Sequence, residues 1–294
     1  MGPNLYWVCR LITIAILLLS SGVAVGQAAG TESIRIDADY RLSGPYVCRN
    51  LFIQSGDMVK GGRQDRTLSQ DVVLPPKSGK MALDAFCVEQ GRWSRRGREQ
   101  SDKFSSSKKG LSSKRLKLAA KQAKSQQAVW EAVAAEQERL GRRIGKSVRK
   151  PASATSLQLS LEDADVEKQI QECRRALLPL GRREKNAIGF AYAINGRFNS
   201  ADIYGDPGLF QKLWPKLVES AACEALSMRD EKRTHSAAES AVVRNHITEA
   251  LGGARHKASS SRSTRRLAGE TRKSFTYETK DQEDQTIHLN IIAK

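Results

Sequence analysis

The order of two kinds of apolar pattern constrains the fold of this chain more than any other feature. Strand-like segments, with short apolar runs or alternating polarity, come first, at residues 46–54, 69–74 and 82–89. Segments with helical spacing then flank a central hairpin signal, and two strand-like segments, 275–279 and 286–292, close the chain. A doubly wound sheet would need strict alternation of strands and helices, which is absent. The sequence therefore predicts an α+β fold in which antiparallel strands pack against several amphipathic helices.

The longest predicted helix begins at Asp206-Pro207, where a capping residue precedes a proline at the first helical position. Its apolar residues recur every four positions over about five turns, which is typical of one broad buried face. Pro215 lies inside this stripe and is expected to kink the helix. The stripe contains Leu209, Phe210, Leu213, Trp214, Leu217, Val218, Ala221, Ala222, Ala225 and Leu226.

Two further helical patterns and one hairpin are also predicted. One pattern covers residues 116–140, and a second begins at Asp163 or Asp165 and runs to about residue 180. Asn195-Gly196 between two apolar runs is the strongest hairpin signal, because both residue types tolerate the positive φ of a type I′ turn.

The apolar stripes must be buried against one another, and this determines the predicted domain organisation. A chain of 294 residues allows one or two domains. We predict a single domain over residues 27–294, with basic loop insertions near 94–115, 142–160 and 257–266, where Ser, Lys and Arg interrupt the apolar patterns.

Residues 1–26 have the form of a secretory signal peptide. A nine-residue apolar core, 11–19, follows Arg10, and Ala24 and Gly26 fit the small-x-small rule for cleavage after Gly26. Cleavage after Ala28 is the near alternative. A spanning helix needs about 20 apolar residues, so a retained anchor is the weaker interpretation, and the absence of other long apolar runs excludes a polytopic membrane protein. We expect an extracytoplasmic protein, periplasmic or secreted.

The charge of the chain is strongly basic and unevenly distributed. The formal net charge is +17, and residues 92–150 contain 18 Lys or Arg against five Asp or Glu. Such a stretch attracts anionic partners, which here would be nucleic acid, anionic lipid head groups or an acidic envelope polymer. The other interpretation is a solvated, mobile basic segment with no dedicated partner.

The cysteines and histidines give no metal signature. The four cysteines after the signal are too far apart for a structural zinc site, so we expect no metal and no cofactor. Export permits a Cys48–Cys87 disulfide between two predicted strands, whereas Cys173 and Cys223 lie on or beside apolar stripes and are interpreted as buried thiols. His288 alternates with apolar neighbours, which places it on the polar face of a strand. A surface histidine is the simpler interpretation there, and a role in proton transfer or binding is the alternative.

Two glycine-containing stretches, GGRQDR at 61–66 and CVEQGRW at 87–93, are the richest in polar chemistry. Glycine allows a backbone to approach a ligand closely, and guanidinium groups bind carboxylates or phosphates in a bidentate manner. The aromatic ring offers a flat stacking surface for a base or a sugar. The candidate binding residues are Gln64, Arg66, Arg92 and Trp93, together with Glu89.

The same stretches support two other interpretations. Glu89 and Asp65 are candidate catalytic residues, because a carboxyl group at the end of an apolar strand can have a raised pKa and act as an acid or base. Alternatively, Asp65 or Glu89 pairs with Arg66 or Arg92 in an internal network that locks two loops. No complete catalytic motif is present, so whether the protein is an enzyme stays open.

Several pieces of the chain resemble one known family. They are SGPYVCRNLFI, GGRQDRTLSQDVVLPPKSG, CVEQGRW, QQAVWEAV, IGFAYAINGRFNSADIYGDPGLFQKLWPKLVESAACEAL and TIHLNII, which run from Ser43 to Ile292. They resemble the uncharacterised ARG and rhodanese-phosphatase-superfamily-associated protein domain. The resemblance implies a link to nucleotide or ADP-ribose-type ligands and no specific activity. The signal peptide and the basic insertions are departures from the family pattern.

Taken together, these patterns favour an exported, noncatalytic α+β domain that binds a small anionic ligand. The first alternative is a hydrolase or transferase that acts on a phosphorylated or glycosidic ligand through Glu89 and Asp65. The second is an envelope protein that binds polyanions through residues 92–150.

Overall fold

The structure is a computed structural model that describes residues 14–15, 35–36, 42–43, 50–75, 83–97, 99, 104–229, 238, 240–261 and 263–294. These residues form fifteen strands, six α-helices and one π-helical segment, and every described strand pair is antiparallel. The predicted α+β class is therefore confirmed.

The strands in chain order are β1 Ile14–Ala15, β2 Arg35–Ile36, β3 Leu42–Ser43, β4 Leu51–Ile53, β5 Asp57–Gly61, β6 Arg66–Leu68, β7 Val72–Leu74, β8 Ala85–Cys87, β9 Phe104–Leu111, β10 Gly189–Ile194, β11 Arg197–Tyr204, β12 Arg255–Ser260, β13 Arg265–Glu270, β14 Ser274–Lys280 and β15 Thr286–Ala293. The α-helices are α1 Lys114–Leu118, α2 Gln126–Ile144, α3 Leu157–Leu161, α4 Ala164–Arg183, α5 Pro207–Met228 and α6 Ser240–Gly252, and the π-helical segment Ala119–Ala123 follows α1.

The chain divides into two compact units. The first unit consists of Thr31–Gln171 and Lys216–Ser227, and the second consists of Met1–Gly30, Glu172–Pro215 and Met228–Lys294. The single domain over 27–294 stays a prediction.

The first unit contains short strands and the helix α2. Strands β8, β6, β5 and β9 form a four-stranded sheet in that order, while β4 pairs with β7 and β2 with β3. The apolar core of the strands comprises Leu51, Ile53, Val59, Leu68, Val72 and Leu74. Helix α2 begins at the N-cap Ser125, whose hydroxyl accepts from the Ala128 N–H, and ends at Gly145 in a left-handed conformation.

The second unit is built on a seven-stranded sheet in the order β1-β10-β11-β15-β14-β13-β12. The predicted hairpin is present between β10 and β11, and Asn195 and Gly196 have φ values of 53° and 73°, as a type I′ turn requires. Helix α6 packs on an apolar cluster of this sheet that includes Ala201, Leu289 and Ile291. From α5, Phe210 contacts Tyr204 and Trp214 contacts Phe190.

Two of the three basic stretches contain strands where we expected loops. Strand β9 occupies most of the second half of 94–115, and β12 and β13 form a hairpin across 257–266. In 142–160 only the ends are helical, since α2 ends at Ile144 and α3 begins at Leu157. The physical reason is that backbone pairing forms these strands without apolar alternation. The side chains of β12 are largely exposed, so its composition resembles that of a loop.

The expectation of a surface histidine at position 288 is wrong. His288 is 0% exposed, its Nε2 lies 3.0 Å from Asp202 Oδ1, and its ring stacks on Tyr204. Strand β15 lies between β11 and β14, and its residues are buried on both faces, so alternation with apolar neighbours does not indicate exposure here.

The cysteines are placed as follows. Cys173 and Cys223 are buried, as expected. Within the part of the chain that the structure describes, Cys87 is half-buried and makes no disulfide, and burial raises the pKa of its thiol. Cys48 lies outside the described residues, so the Cys48–Cys87 disulfide stays a prediction.

Candidate functional site

The two polar stretches that the sequence singled out lie side by side in the first unit. The tight turn after β5 uses Gly61 and Gly62, both with positive φ, and turns Gln64 and Asp65 toward the end of β8. The Val88 N–H donates to the Asp65 carbonyl at 2.9 Å, and the Gln64 amide donates to the Glu89 carbonyl at 3.0 Å. These bonds join the two loops directly.

Asp65 is the first of two buried carboxylates at this junction, with 1% of its surface exposed. Its Oδ1 accepts from the Gly61 N–H and from Arg96 Nη2, both at 3.1 Å. Its Oδ2 accepts from Arg96 Nη1 at 3.0 Å and from the Ser156 hydroxyl at 2.9 Å. The Arg96 guanidinium thus grips Asp65 in the bidentate geometry that gives strong, oriented pairs.

Glu89 is the second carboxylate and is 0% exposed. Its Oε1 accepts from Arg92 Nε at 2.6 Å and from Arg96 Nη1 at 3.1 Å, and its Oε2 accepts from the Asp65 backbone N–H at 2.9 Å. All four carboxylate oxygens of Asp65 and Glu89 therefore accept hydrogen bonds from within the protein. We call Asp65, Glu89, Arg92, Arg96 and Ser156 the buried network.

Arg96 links the parts of the buried network, and the sequence reasoning missed it. Its guanidinium also donates to Glu99 Oε1 from Nε at 3.2 Å and from Nη2 at 2.9 Å. These carboxylates raise the pKa of Arg96 against the opposing effect of burial, so it stays charged. Arg96 stands in a run of arginines, serines and glycines whose spacing does not distinguish an internal arginine from an exposed one. Ser156 was missed for a similar reason, because it lies in a Ser/Thr-rich connector.

The two carboxyl groups have pKa values shifted in opposite directions. Burial raises the pKa of Asp65, and the hydrogen bonds from Arg96 offset this only in part. Burial also acts to raise the pKa of Glu89, but hydrogen bonds from Arg92, Ser153 and the Asp65 N–H outweigh it and hold the pKa below its usual value. Both shifts arise from groups inside the protein.

The predicted binding residues fall into two sets. Gln64, Glu89 and Arg92 are buried in or beside the buried network. Arg66 is half-buried and lies opposite Cys87 in the pairing of β6 with β8. Trp93 is 68% exposed. The structure therefore brings the candidates to one junction and places only Trp93 fully on its surface.

The exposed segment at this junction, residues 90–95, is held in place by neighbouring side chains. Residues 90–95 are exposed except for Arg92, and Arg96 immediately after them is buried. At the other end, the Gln90 carbonyl accepts from the Thr155 hydroxyl at 2.6 Å. We call residues 90–95 the anchored loop, because buried arginines hold it on both sides of Trp93.

The described side chains offer no assembled metal site, since no group of three or more His, Cys, Asp or Glu is placed to hold an ion in these ranges. Across the same ranges, no helix combines the length and the apolar character needed to cross a membrane.

Comparison with known proteins identifies the family. The family model described as the ARG and Rhodanese-Phosphatase-superfamily-associated Protein domain matches residues 47–292, and the chain therefore belongs to that family. The resemblance noted from the sequence is thus confirmed. No curated protein and no solved structure matches the chain.

Proposed function

We propose that this member of the family is an exported, noncatalytic domain that binds a small anionic ligand at the anchored loop. The observation that carries this proposal is the internal closure of the buried network. Asp65 and Glu89 have their oxygens occupied by Arg92, Arg96, Ser156 and backbone N–H groups, which leaves the exposed loop above them as the surface available to a ligand.

In this proposal the buried residues act by positioning. Gln64, Glu89 and Arg92 hold the two loops together, and Arg66 lies at the edge of the same junction. Fixing a loop before binding lowers the conformational entropy lost on association, which favours affinity for a given set of contacts. A solvent-exposed tryptophan on such a loop is a large and rigid contact surface.

The experiment is a thermal-shift measurement on the mature protein. The panel contains nucleotides, ADP-ribose, sugar phosphates and anionic polymers, each at low and at high salt. A ligand that binds the native state raises the unfolding midpoint by mass action. We expect at least one small anion to raise the midpoint at both salt concentrations. A panel in which no small anion does so contradicts the proposal.

The polymer arm of this panel tests the envelope-protein alternative. Two arginines of the basic segment, Arg92 and Arg96, are buried in ion pairs, so they offer no charge to a polymer. A shift caused only by polymers and lost at high salt would favour that alternative, because release of counterions makes polyanion binding steeply dependent on salt.

A hydrolase or transferase is the second candidate function, because the pKa values of Asp65 and Glu89 are shifted in opposite directions. Such a pair is a common arrangement for an acid and a base. The test is turnover of the phosphorylated and glycosidic panel members by the wild-type protein and by Glu89→Gln. Turnover that is lost in Glu89→Gln while the far-UV spectrum stays unchanged would favour the enzyme over the binding domain.

A further inference from the structure

The two loops that the buried network joins carry two exposed arginines in addition to Trp93. Arg63 follows the Gly61-Gly62 turn, and Arg95 lies two residues after Trp93, and both are exposed. Within the described ranges neither of them makes an ion pair. This distinguishes them from Arg92 and Arg96, whose charges are balanced by Asp65, Glu89 and Glu99.

A single atom, Arg92 Nη1, makes hydrogen bonds to both of the loops that carry these exposed arginines. Arg92 Nη1 donates to the Gly62 carbonyl at 3.2 Å and to the Ser94 carbonyl at 2.7 Å. The Gly62 carbonyl belongs to the peptide that precedes Arg63, and the Ser94 carbonyl belongs to the peptide that precedes Arg95. The backbones that carry Arg63 and Arg95 are therefore neighbours, and Trp93 lies between Arg92 and Ser94 in the same loop.

We infer that Arg63, Trp93 and Arg95 form a recognition surface for a planar heteroaromatic ring that carries a phosphate. The indole stacks on the ring, and the two arginines bind the phosphate. This inference rests on the proposed function and names the ligand class for the same loop. The chemistry is shared by a free nucleotide and by a single nucleotide unit of a single-stranded nucleic acid.

Each part of the ligand is matched to one part of the surface. Stacking of a base on an aromatic side chain tolerates any base and needs an exposed ring face. A guanidinium without a carboxylate partner is available to bind phosphate in a bidentate manner, whereas one in a buried ion pair is not. A ligand with only one of the two groups uses only half of the surface, so it binds more weakly.

The test is a calorimetric titration of the mature protein with four probes. They are adenosine 5′-monophosphate, ribose 5-phosphate, adenosine, and a single-stranded oligodeoxyadenylate. We expect the monophosphate to bind at least about tenfold more tightly than ribose 5-phosphate or adenosine. The oligonucleotide distinguishes the two sources of the ligand: tighter binding per site than the monophosphate indicates a nucleic acid, and equal or weaker binding indicates a free nucleotide.

Variants distinguish the contribution of the ring to binding from that of the phosphate. Trp93→Ala is expected to lower the affinity for the monophosphate by about fivefold to about 150-fold and to leave the affinity for ribose 5-phosphate unchanged. Trp93→Phe retains a stacking surface and is expected to restore most of the affinity. The double variant Arg63→Ala with Arg95→Ala is expected to lower the affinity for both the monophosphate and ribose 5-phosphate. Arg175→Ala, an exposed arginine of α4, is the matched control and should change neither.

The outcomes distinguish this inference from the proposed function. If the monophosphate and ribose 5-phosphate bind with equal affinity and Trp93→Ala has no effect, the protein does not recognise a ring. The inference is then overturned, while the proposed anion-binding domain still stands. Failure of all four probes overturns the inference, while a thermal shift by another small anion would still support the proposed function. Loss of binding in the Arg175→Ala control would mean that general surface charge, not this surface, holds the ligand.

Discussion

Replacing Arg96 by methionine is the perturbation that tests the buried network most directly. The six described hydrogen bonds of the Arg96 guanidinium end on Asp65, Glu89, Glu99 and Ser156. Methionine retains much of the aliphatic volume of the side chain and removes the charge and every donor. Asp65 then keeps only the Gly61 N–H and the Ser156 hydroxyl as hydrogen-bond donors.

The magnitude follows from the charges that remain. Asp65 and Glu89 are both buried, and Arg92 would remain paired with them, its Nε 2.6 Å from Glu89 Oε1 and its Nη2 3.7 Å from Asp65 Oδ1. Removing one partner of a buried ion pair typically costs about 3–5 kcal/mol, because an uncompensated charge stays in the interior. We therefore expect Arg96→Met to lower the free energy of unfolding by about that amount.

Urea unfolding followed by circular dichroism measures this change, with Arg95→Met as the matched control. Arg95 is the exposed neighbour of Arg96 and is expected to change the free energy of unfolding by less than about 0.5 kcal/mol. The double variant Arg96→Met with Asp65→Asn removes the uncompensated charge, so its cost should be smaller than the sum of the two single costs. Equal unfolding free energies for Arg96→Met and Arg95→Met would refute the reasoning.

The same variant has a predicted pH dependence. Burial raises the pKa of Asp65, and the hydrogen bonds from Arg96 oppose it. Without Arg96 the pKa of Asp65 in the folded protein rises further above its unfolded value. A group with a raised folded pKa is stabilising below the unfolded pKa, and this stability is lost as the pH rises through the folded pKa. The stability difference between Arg96→Met and the wild type should therefore narrow as the pH is lowered from neutral toward the ordinary pKa of an aspartate.

Three further predictions concern other parts of the chain. Gly181→Ala should destabilise the protein by about 1–3 kcal/mol in urea unfolding, because the added Cβ would overlap the Trp214 indole, and an unchanged midpoint would contradict this packing. Burial, and then the charge of Lys273, lowers the pKa of His246, so its contribution to stability is present above about pH 6.5 and is lost as the pH falls through the folded pKa. The thermal midpoint of His246→Phe should accordingly fall less than that of the wild type between about pH 7.5 and about pH 5.5, and an equal fall would argue against this. Intact-mass measurement of the exported protein should give a chain that begins after Gly26, whereas a full-length chain would favour the retained anchor.

The elements that the sequence predicted well are those whose signal is local. The Asn195-Gly196 turn, the closing strands β14 and β15, and the apolar stripe of α5 each follow from spacing or from the φ preference of particular residues. A residue's own chemistry determines these features, so no knowledge of its partners was needed.

The elements that the sequence did not predict depend on partners that are distant in the chain. Strand β9 is Ser- and Lys-rich and forms by pairing with β5, about 45 residues earlier, as in the register of Lys60 with Ser105. His288 is buried because β15 is an inner strand of the sheet. Ser156 bonds to Asp65 across 91 positions of sequence. Each of these required the tertiary structure.

At the candidate site, the same two polar stretches contribute both to an internal network and to an exposed surface. The sequence left open whether Asp65 or Glu89 pairs with Arg66 or Arg92 in an internal network, or whether these two loops form a ligand surface. In the structure Gln64, Glu89 and Arg92 are buried, while Trp93, next to Arg92 in the anchored loop, is exposed. The two interpretations are compatible, because the buried Arg92 also donates to the Ser94 carbonyl and so holds the loop immediately after Trp93. A change in the buried network should therefore alter binding only as far as it releases the loop, whereas a change at Trp93 should alter binding without altering stability.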